Sequence, residues 1–254
     1  MRVWVLILTI SLAATCTAFA GQDTLTQLST IDALMTGVYD GDTTLASLRE
    51  RGDFGLGTFN ALGGEMILLD GRFYRVAAAS SVEQPDSATK TPFAAVTFFE
   101  PDLVVPLERG LDFRTLASRT GQLLPTVNVF YAIKITGTFQ VVTARSVPSQ
   151  KKPYKPLSEV VKTQPVFTIS DVEGTIVGFH CPPYVKGLNV PGYHLHFLSA
   201  DRKSGGHVLD FRVEKATMQI DETREFLLIL PSDKAFNEAD LKADREKELK
   251  AVEK

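Results

Sequence analysis

The 254-residue sequence predicts an α+β protein of two similar lobes, built on mixed or antiparallel β-sheets with short helices and followed by a charged C-terminal tail. Three observations predict it. Most apolar residues fall in short β-rich runs punctuated by Gly or Asp-Gly turns. The helical stretches between them, Leu45 to Glu50 and Leu157 to Lys162, are each under two turns long. The order helix, Gly-rich strand, hairpin also occurs once in each half. Composition agrees with a chain that buries a core. Its 44% apolar and 22% charged residues exclude a disordered or fibrous protein, and a net charge of −3 gives no electrostatic footprint for nucleic acid.

Residues 1–20 read as a signal peptide. Arg2 precedes a largely apolar run from Val3 to Leu12, too short to span a bilayer comfortably, and Ala18-Phe19-Ala20 has the small-residue pattern of a cleavage site. Cleavage after Ala20 would yield an exported, periplasmic or secreted protein. Losing Arg2 leaves 26 basic against 30 acidic residues, a charge of −4. Trp4 and Cys16 leave with the signal, so the mature chain has no tryptophan and only Cys181. An intrachain disulfide is thereby excluded, and the core alone must hold the fold. No later apolar run is long enough for a membrane span.

Residues 21–128 form the expected N-terminal lobe. A polar lead-in gives way to an apolar pattern at Leu28, Ile31, Leu34 and Met35, and the short helix from Leu45 is ended by Gly52. Gly55-Leu56-Gly57-Thr58 and Gly63 to Leu69 read as strands, and Asp70-Gly71 marks a hairpin to Arg72–Val76. Pro92 to Glu100 is a further β-rich run. Residues 129–236 form the second, metal-binding lobe, with strand signals over 128–144, 174–179, 192–198 and 207–213. The tail, residues 237–254, is mostly Glu, Asp, Lys and Ala. It has too few apolar residues for a buried helix face and is expected to be solvated or disordered.

Of four histidines, His194, His196 and His207 fall within fourteen residues. Tyr193 to Phe197 alternates as a strand, which puts His194 and His196 on one face about 6.5–7 Å apart. The polar turn Ser199–Gly206 returns the chain antiparallel, and pairing residue 196 with 207 brings the third imidazole to that face, about 4.5–5.5 Å away. Three such nitrogens can close on one metal ion. Imidazole-only ligation favours Zn²⁺ over other first-row divalent ions, and three protein ligands with an open position point to catalysis more often than to structure. His180 lies outside the alternation and reads as an ordinary surface or core histidine. No phosphate-binding lysine loop, nucleophile elbow or complete dinucleotide fingerprint occurs.

Longer motifs carry a resemblance. Gly187-Leu-Asn-Val-Pro-Gly-Tyr-His-Leu-His-Phe and Gly205-Gly-His-Val-Leu-Asp resemble the acetolactate decarboxylase family. So do the stretches Ser29–Asp42, Arg51–Met66, Thr91–Ala94, Asn128–Phe139 and Ala144–Pro148. The resemblance runs from about residue 25 to 231. It implies decarboxylation of 2-hydroxy-2-methyl-3-oxobutanoate (acetolactate) to acetoin and CO₂ by a homodimer of two-lobed subunits. It also implies zinc on His194, His196 and His207, with Glu65 and Arg145 at the substrate and Thr58 lining the pocket. The family brings a tail glutamate to the metal; Glu246, Glu248 and Glu253 are the candidates here, and position favours Glu253. In that chemistry zinc polarises the ketone, Arg145 holds the carboxylate or developing oxyanion, and Glu65 protonates the enediolate. Without the resemblance, Glu65 and Arg145 would pass for a turn carboxylate and a strand-end charge. The rival readings are a zinc hydratase of the carbonic anhydrase type, whose tryptophan-rich strands this mature chain lacks, and a non-catalytic metal- or sugar-binding module.

Overall fold

The computed structural model describes residues 23–253; the expected signal peptide and its cleavage point lie outside the described residues. β1 (Thr24–Leu28) runs into α1 (Ile31–Met35), where the Thr30 hydroxyl caps the helix by accepting from the Ala33 N–H at 3.1 Å. The two-residue β2 (Thr43–Thr44) leads to α2 (Leu45–Arg49). Then come β3 (Phe54–Thr58), β4 (Glu65–Leu69), β5 (Arg72–Val76), β6 (Val82–Glu83), β7 (Lys90–Thr91), β8 (Ala94–Thr97) and β9 (Leu103–Leu107). Asp70 and Gly71 join β4 to β5 with φ of 50° and 71°, the left-handed pair that a tight hairpin requires.

The helices α3 (Phe113–Ser118) and α4 (Thr120–Leu123) precede the long β10 (Phe130–Arg145). α5 (Leu157–Val160) then leads into β11 (Val166–Cys181), β12 (Gly192–Ser199), β13 (Gly205–Thr223) and β14 (Glu225–Ile229). The chain closes with α6 (Lys234–Glu238) and α7 (Glu246–Val252). β11 and β13 reach well beyond the apolar runs that announce them, because their mixed polar and apolar stretches pair with β10 across nearly its whole length. The helix–strand–hairpin order recurs as α2 with β3 to β5 and α5 with β11 to β13, giving the two α+β lobes.

The first lobe is a seven-stranded mixed sheet in the order β14-β1-β8-β3-β4-β5-β6, parallel only at β1–β14. The second is antiparallel, in the order β10-β11-β12-β13-β9. β10 also pairs with β13, so the four strands from β10 to β13 close on themselves. Each sheet takes one strand from the other's stretch of chain: residues 103–107 extend the second sheet and residues 225–229 rejoin the first. Ile133, Ile135, Phe139, Phe197, Phe211 and Met218 belong to the core of the second lobe. Another core joins the two lobes, with Phe54, Leu56, Ile67 and Val76 from one sheet and Ala132, Val177, Phe179 and Leu198 from the other. Cys181 is fully buried there, and burial pushes its thiol far above the ordinary range, so it is an inert core residue.

The tail departs from its expected solvated state. Leu249 and Val252 are buried in a cluster with Ile31, Leu34, Val147, Leu157 and Val190, so α7 packs onto α1 and α5. Two apolar residues three apart form a narrow stripe, enough for a seven-residue helix lying across two short neighbours.

Asp221 is buried in β13 where the chain leaves for β14, and its carboxylate accepts the Glu100 N–H at 3.2 Å. Burial, reinforced by Asp102, Asp23 and Glu100, pushes its pKa up to about 7. The folded protein therefore holds a proton that the unfolded chain has released above about pH 4, and Asp221 lowers stability as pH rises through that window. Asp221→Asn keeps an acceptor for Glu100 and should raise Tm at pH 8 by a few degrees, about 2–4 °C per kcal/mol at this size, with no gain near pH 4. Thermal unfolding at the two pH values is the measurement; an equal shift at both would rule out titration as the cause.

Candidate functional site

Three strands meet at one rung. The start of β13 pairs with β12 on one edge, His207 opposite His196, and with β10 on the other, His207 opposite Arg145. Directly opposed residues share a face, so the pairing alone sets a guanidinium and two imidazoles side by side. His194 joins them from two positions back along β12. The three ring centroids lie 5.1, 5.2 and 5.4 Å apart, and one nitrogen from each ring lies within 4.8 Å of the others. This group can hold a metal ion.

The donor chemistry fits one. His196 Nδ1 lies 2.8 Å from the Met66 carbonyl and donates to it, which leaves Nε2 as the lone-pair nitrogen facing the cluster. Among the described residues, that Nε2 and His194 Nδ1 are buried with no hydrogen-bond partner. Burial pushes the His194 pKa down to about 3, with Arg145 adding to the effect. His196 and His207 are also held well below the ordinary range, chiefly by burial. Neutral imidazoles are the form that ligates metal.

Two carboxylates come up to the cluster. Glu65 Oε2 lies 3.6 Å from His196 Nε2, while its Oε1 accepts the Val147 N–H at 3.3 Å and lies 3.9 Å from Arg145 Nη1. Glu253 Oε2 lies 3.5 Å from His207 Nε2. Burial raises both carboxyls to about 7, against the opposing pull of Arg145 in each case. Arg145 donates Nη1 to Gln164 Oε1 at 3.1 Å and Nη2 to the Val252 carbonyl at 2.9 Å; its buried Nε has no partner among the described residues. Thr58 pairs with Glu65 across β3–β4, and its hydroxyl donates to the Gly64 carbonyl at 2.9 Å. That bond fixes the turn carrying Glu65. Gly64 itself sits at φ +108°, where a Cβ would lie 2.5 Å from the Val76 carbonyl.

The structure thus brings together Thr58, Glu65, Arg145, His194, His196, His207 and Glu253 around one cavity, roofed by Leu34, Leu62 and Phe93. Of the three tail candidates, Glu253 is the one at the histidines, whereas Glu246 pairs with Lys186 outside. His180 stays apart, buried beside Tyr131 and Tyr193. Sequence reasoning missed Gln164 and the Val147 N–H. A glutamine two residues ahead of the strand residue paired with Arg145 was the available signal for the first.

Fold and site define a two-lobed α+β protein with a buried three-histidine centre able to hold a metal and two carboxylates and a guanidinium beside it. The sequence profile of the alpha-acetolactate decarboxylase family matches residues 25–243. The enzyme of that name from Methanosarcina mazei is 47% identical over 91% of this chain and 81% of its own length. The Methylococcus capsulatus enzyme is 46% identical over 89% and 87%. The crystal structure of the Bacillus subtilis strain 168 enzyme superposes with a TM-score of 0.88 at 41% identity, covering 91% of this chain and 99% of that one. The chain belongs to the alpha-acetolactate decarboxylase family and is a carboxy-lyase, which decides against both the hydratase and the non-catalytic module.

His196→Ala removes one donor of three and opens a hole at the rung. Elemental analysis after exhaustive dialysis should find the metal retained by wild type and lost from the variant; stoichiometric metal in a folded His196→Ala protein would show that the ion sits elsewhere.

Proposed function

We propose that the protein converts acetolactate to acetoin and CO₂ with zinc held by His194, His196 and His207. The observation that carries this reading is the buried rung at which Arg145 and Glu65 stand against three neutral imidazoles. Zinc bound there would supply a Lewis acid for the ketone next to the departing carboxylate.

The chain's own residues supply the rest. Among the described residues, Arg145 is the only cation lining this cavity, and its buried Nε is unpartnered and so free to donate to a substrate anion. As the bond to CO₂ breaks, its electron pair passes into the adjacent carbonyl to give an enediolate. That species takes a proton at carbon from Glu65, which is recharged from solvent. Burial raises that carboxyl towards the working pH, the direction that suits a general acid, while a cation held by His196 would pull against it. Thr58 keeps hydroxyl lone pairs for the substrate while its proton is committed to Gly64. Leu34, Leu62 and Phe93 line the same cavity and keep bulk water from the carbanionic carbon. Glu253 adds a second carboxylate beside His207, where a divalent cation would draw it to its charged form. The family resemblance supports a homodimer, which light scattering on the purified protein would test.

Glu65→Gln is nearly isosteric but cannot deliver the proton. It should keep zinc and fold while losing about 10²–10⁴-fold in acetoin formation. Zinc content, circular dichroism and turnover measured on one preparation decide the point; a zinc-loaded, folded variant within about threefold of wild type, far short of a lost general acid, would take Glu65 out of the mechanism.

The Arg2-led apolar segment and Ala18-Phe19-Ala20 support export with cleavage after Ala20. Intact-mass analysis of exported material should place the N-terminus at Gly21, and the mature protein should lack tryptophan fluorescence. A mass retaining residues 1–20 would contradict cleavage.

A further inference from the structure

With α7 seated, the cavity over the histidines is about 50 Å³, room for a water or two and too little for a five-carbon hydroxy-keto acid. A second cavity of about 510 Å³ opens on the other side of the same tail. Glu253 borders both, Val252 lines the inner one and Leu249 the outer. The tail is therefore the partition between a room large enough for substrate and the chemical centre. It also holds a catalytic group, since the Val252 carbonyl takes up Arg145 Nη2.

Among the described residues, the ion pairs that tie the outer end of that partition to the rest of the chain are made by one lysine. Lys186 Nζ lies 2.8 Å from Asp244 Oδ2 and 2.9 Å from Glu246 Oε2, spanning the segment that enters α7. Lys186 stands on a rigid base: the carbonyls of the next two residues, Gly187 and Leu188, accept the N–H groups of Asp32 and Ile31 at the start of α1. Both ion pairs are substantially solvent-exposed, so they are weak and sensitive to salt. Strong, buried pairing would suit a permanent wall; weak exposed pairing suits an element that must open on each turnover.

We propose that α7 is a gate between the outer cavity and the histidine site, with Lys186 as its latch and as the positioning residue that keeps Glu253 against His207. The passage of substrate through the gate rests on the decarboxylase reading; the latch itself does not.

The test is amide hydrogen exchange of residues 246–252 in the full-length, zinc-loaded protein, alongside kcat and KM for acetolactate. Lys186→Gln should speed exchange there by roughly threefold to tenfold, the effect of losing two exposed pairs, with zinc content unchanged. Raising salt should speed exchange in wild type but hardly in the variant. Lys186→Arg should restore slow exchange, as should the charge swap Lys186→Glu with Asp244→Lys and Glu246→Lys. In kinetics, kcat/KM should rise with salt in wild type and lose that dependence in Lys186→Gln. Exchange within about twofold of wild type in Lys186→Gln, or a swapped variant no slower than Lys186→Glu alone, would overturn the latch. Latch-dependent exchange in a protein that forms no acetoin would support the latch and overturn the functional reading instead.

Discussion

The whole site depends on the first residues of β13 being hydrogen-bonded on both edges at once. A strand with a free edge at this point would leave Arg145 and His196 on strands that never meet. Because β12 and β10 both pair with His207, the second sheet closes, and residues 145, 196 and 207 become neighbours along a single rung. Closure needs close backbone approach. Gly206 has φ of 147°, and a Cβ there would lie 2.6 Å from the Arg145 carbonyl, so the paired glycines ahead of His207 are what allow the strands to crowd together. The first sheet then sets its own chemistry against this rung. The Met66 carbonyl orients His196, and Glu65, one residue earlier and on the other side of β4's backbone, points its carboxylate at the same imidazole.

One physical effect, burial, acts in opposite directions on the two kinds of group that meet there. It holds the imidazoles neutral, because their charged form is the one that loses water, and it raises Glu65 and Glu253 for the same reason. Arg145 has the strength to oppose burial at the carboxylates but not to cancel it: at 3.9 Å from Glu65 it leaves that carboxyl near 7 instead of in the ordinary range. The same guanidinium adds to the depression of His194 and His207. Burial, with one fixed cation adding to it, thus keeps three imidazoles available as ligands while leaving Glu65 raised above the ordinary carboxylate range.

Much of this was legible in the sequence, and its limits have physical causes. His194 and His196 alternate on one strand and a polar turn leads to His207, so a local hairpin rule was sufficient to predict their shared face and their register. Arg145 could not be placed that way: its position depends on β10 pairing with β13 across more than sixty residues, and only the family motif pointed to it. The short strands β9 and β14 carry little alternation, and each is recruited by a partner strand far away in the chain. The tail was misread because its composition is that of a solvated helix. Leu249 and Val252 are two apolar residues among charges, and only the prior existence of a groove between α1 and α5 makes them anchors.

The docking of α7 also bears on how the site works. The pKa shifts at the site depend on its burial, and one of its walls is α7, a helix of seven residues seated by two buried side chains. So short a helix has almost no stability of its own, and its order comes from docking. Ordering seven residues opposes the burial of two, so the seat is marginal, in contrast to the closed β-barrel behind it. The protein therefore divides its site between strands paired along both edges and a short docked helix. Ligand geometry, which must not drift, rests on strands paired along both edges. The burial that raises the Glu65 carboxyl rests in part on a short helix held by two apolar anchors.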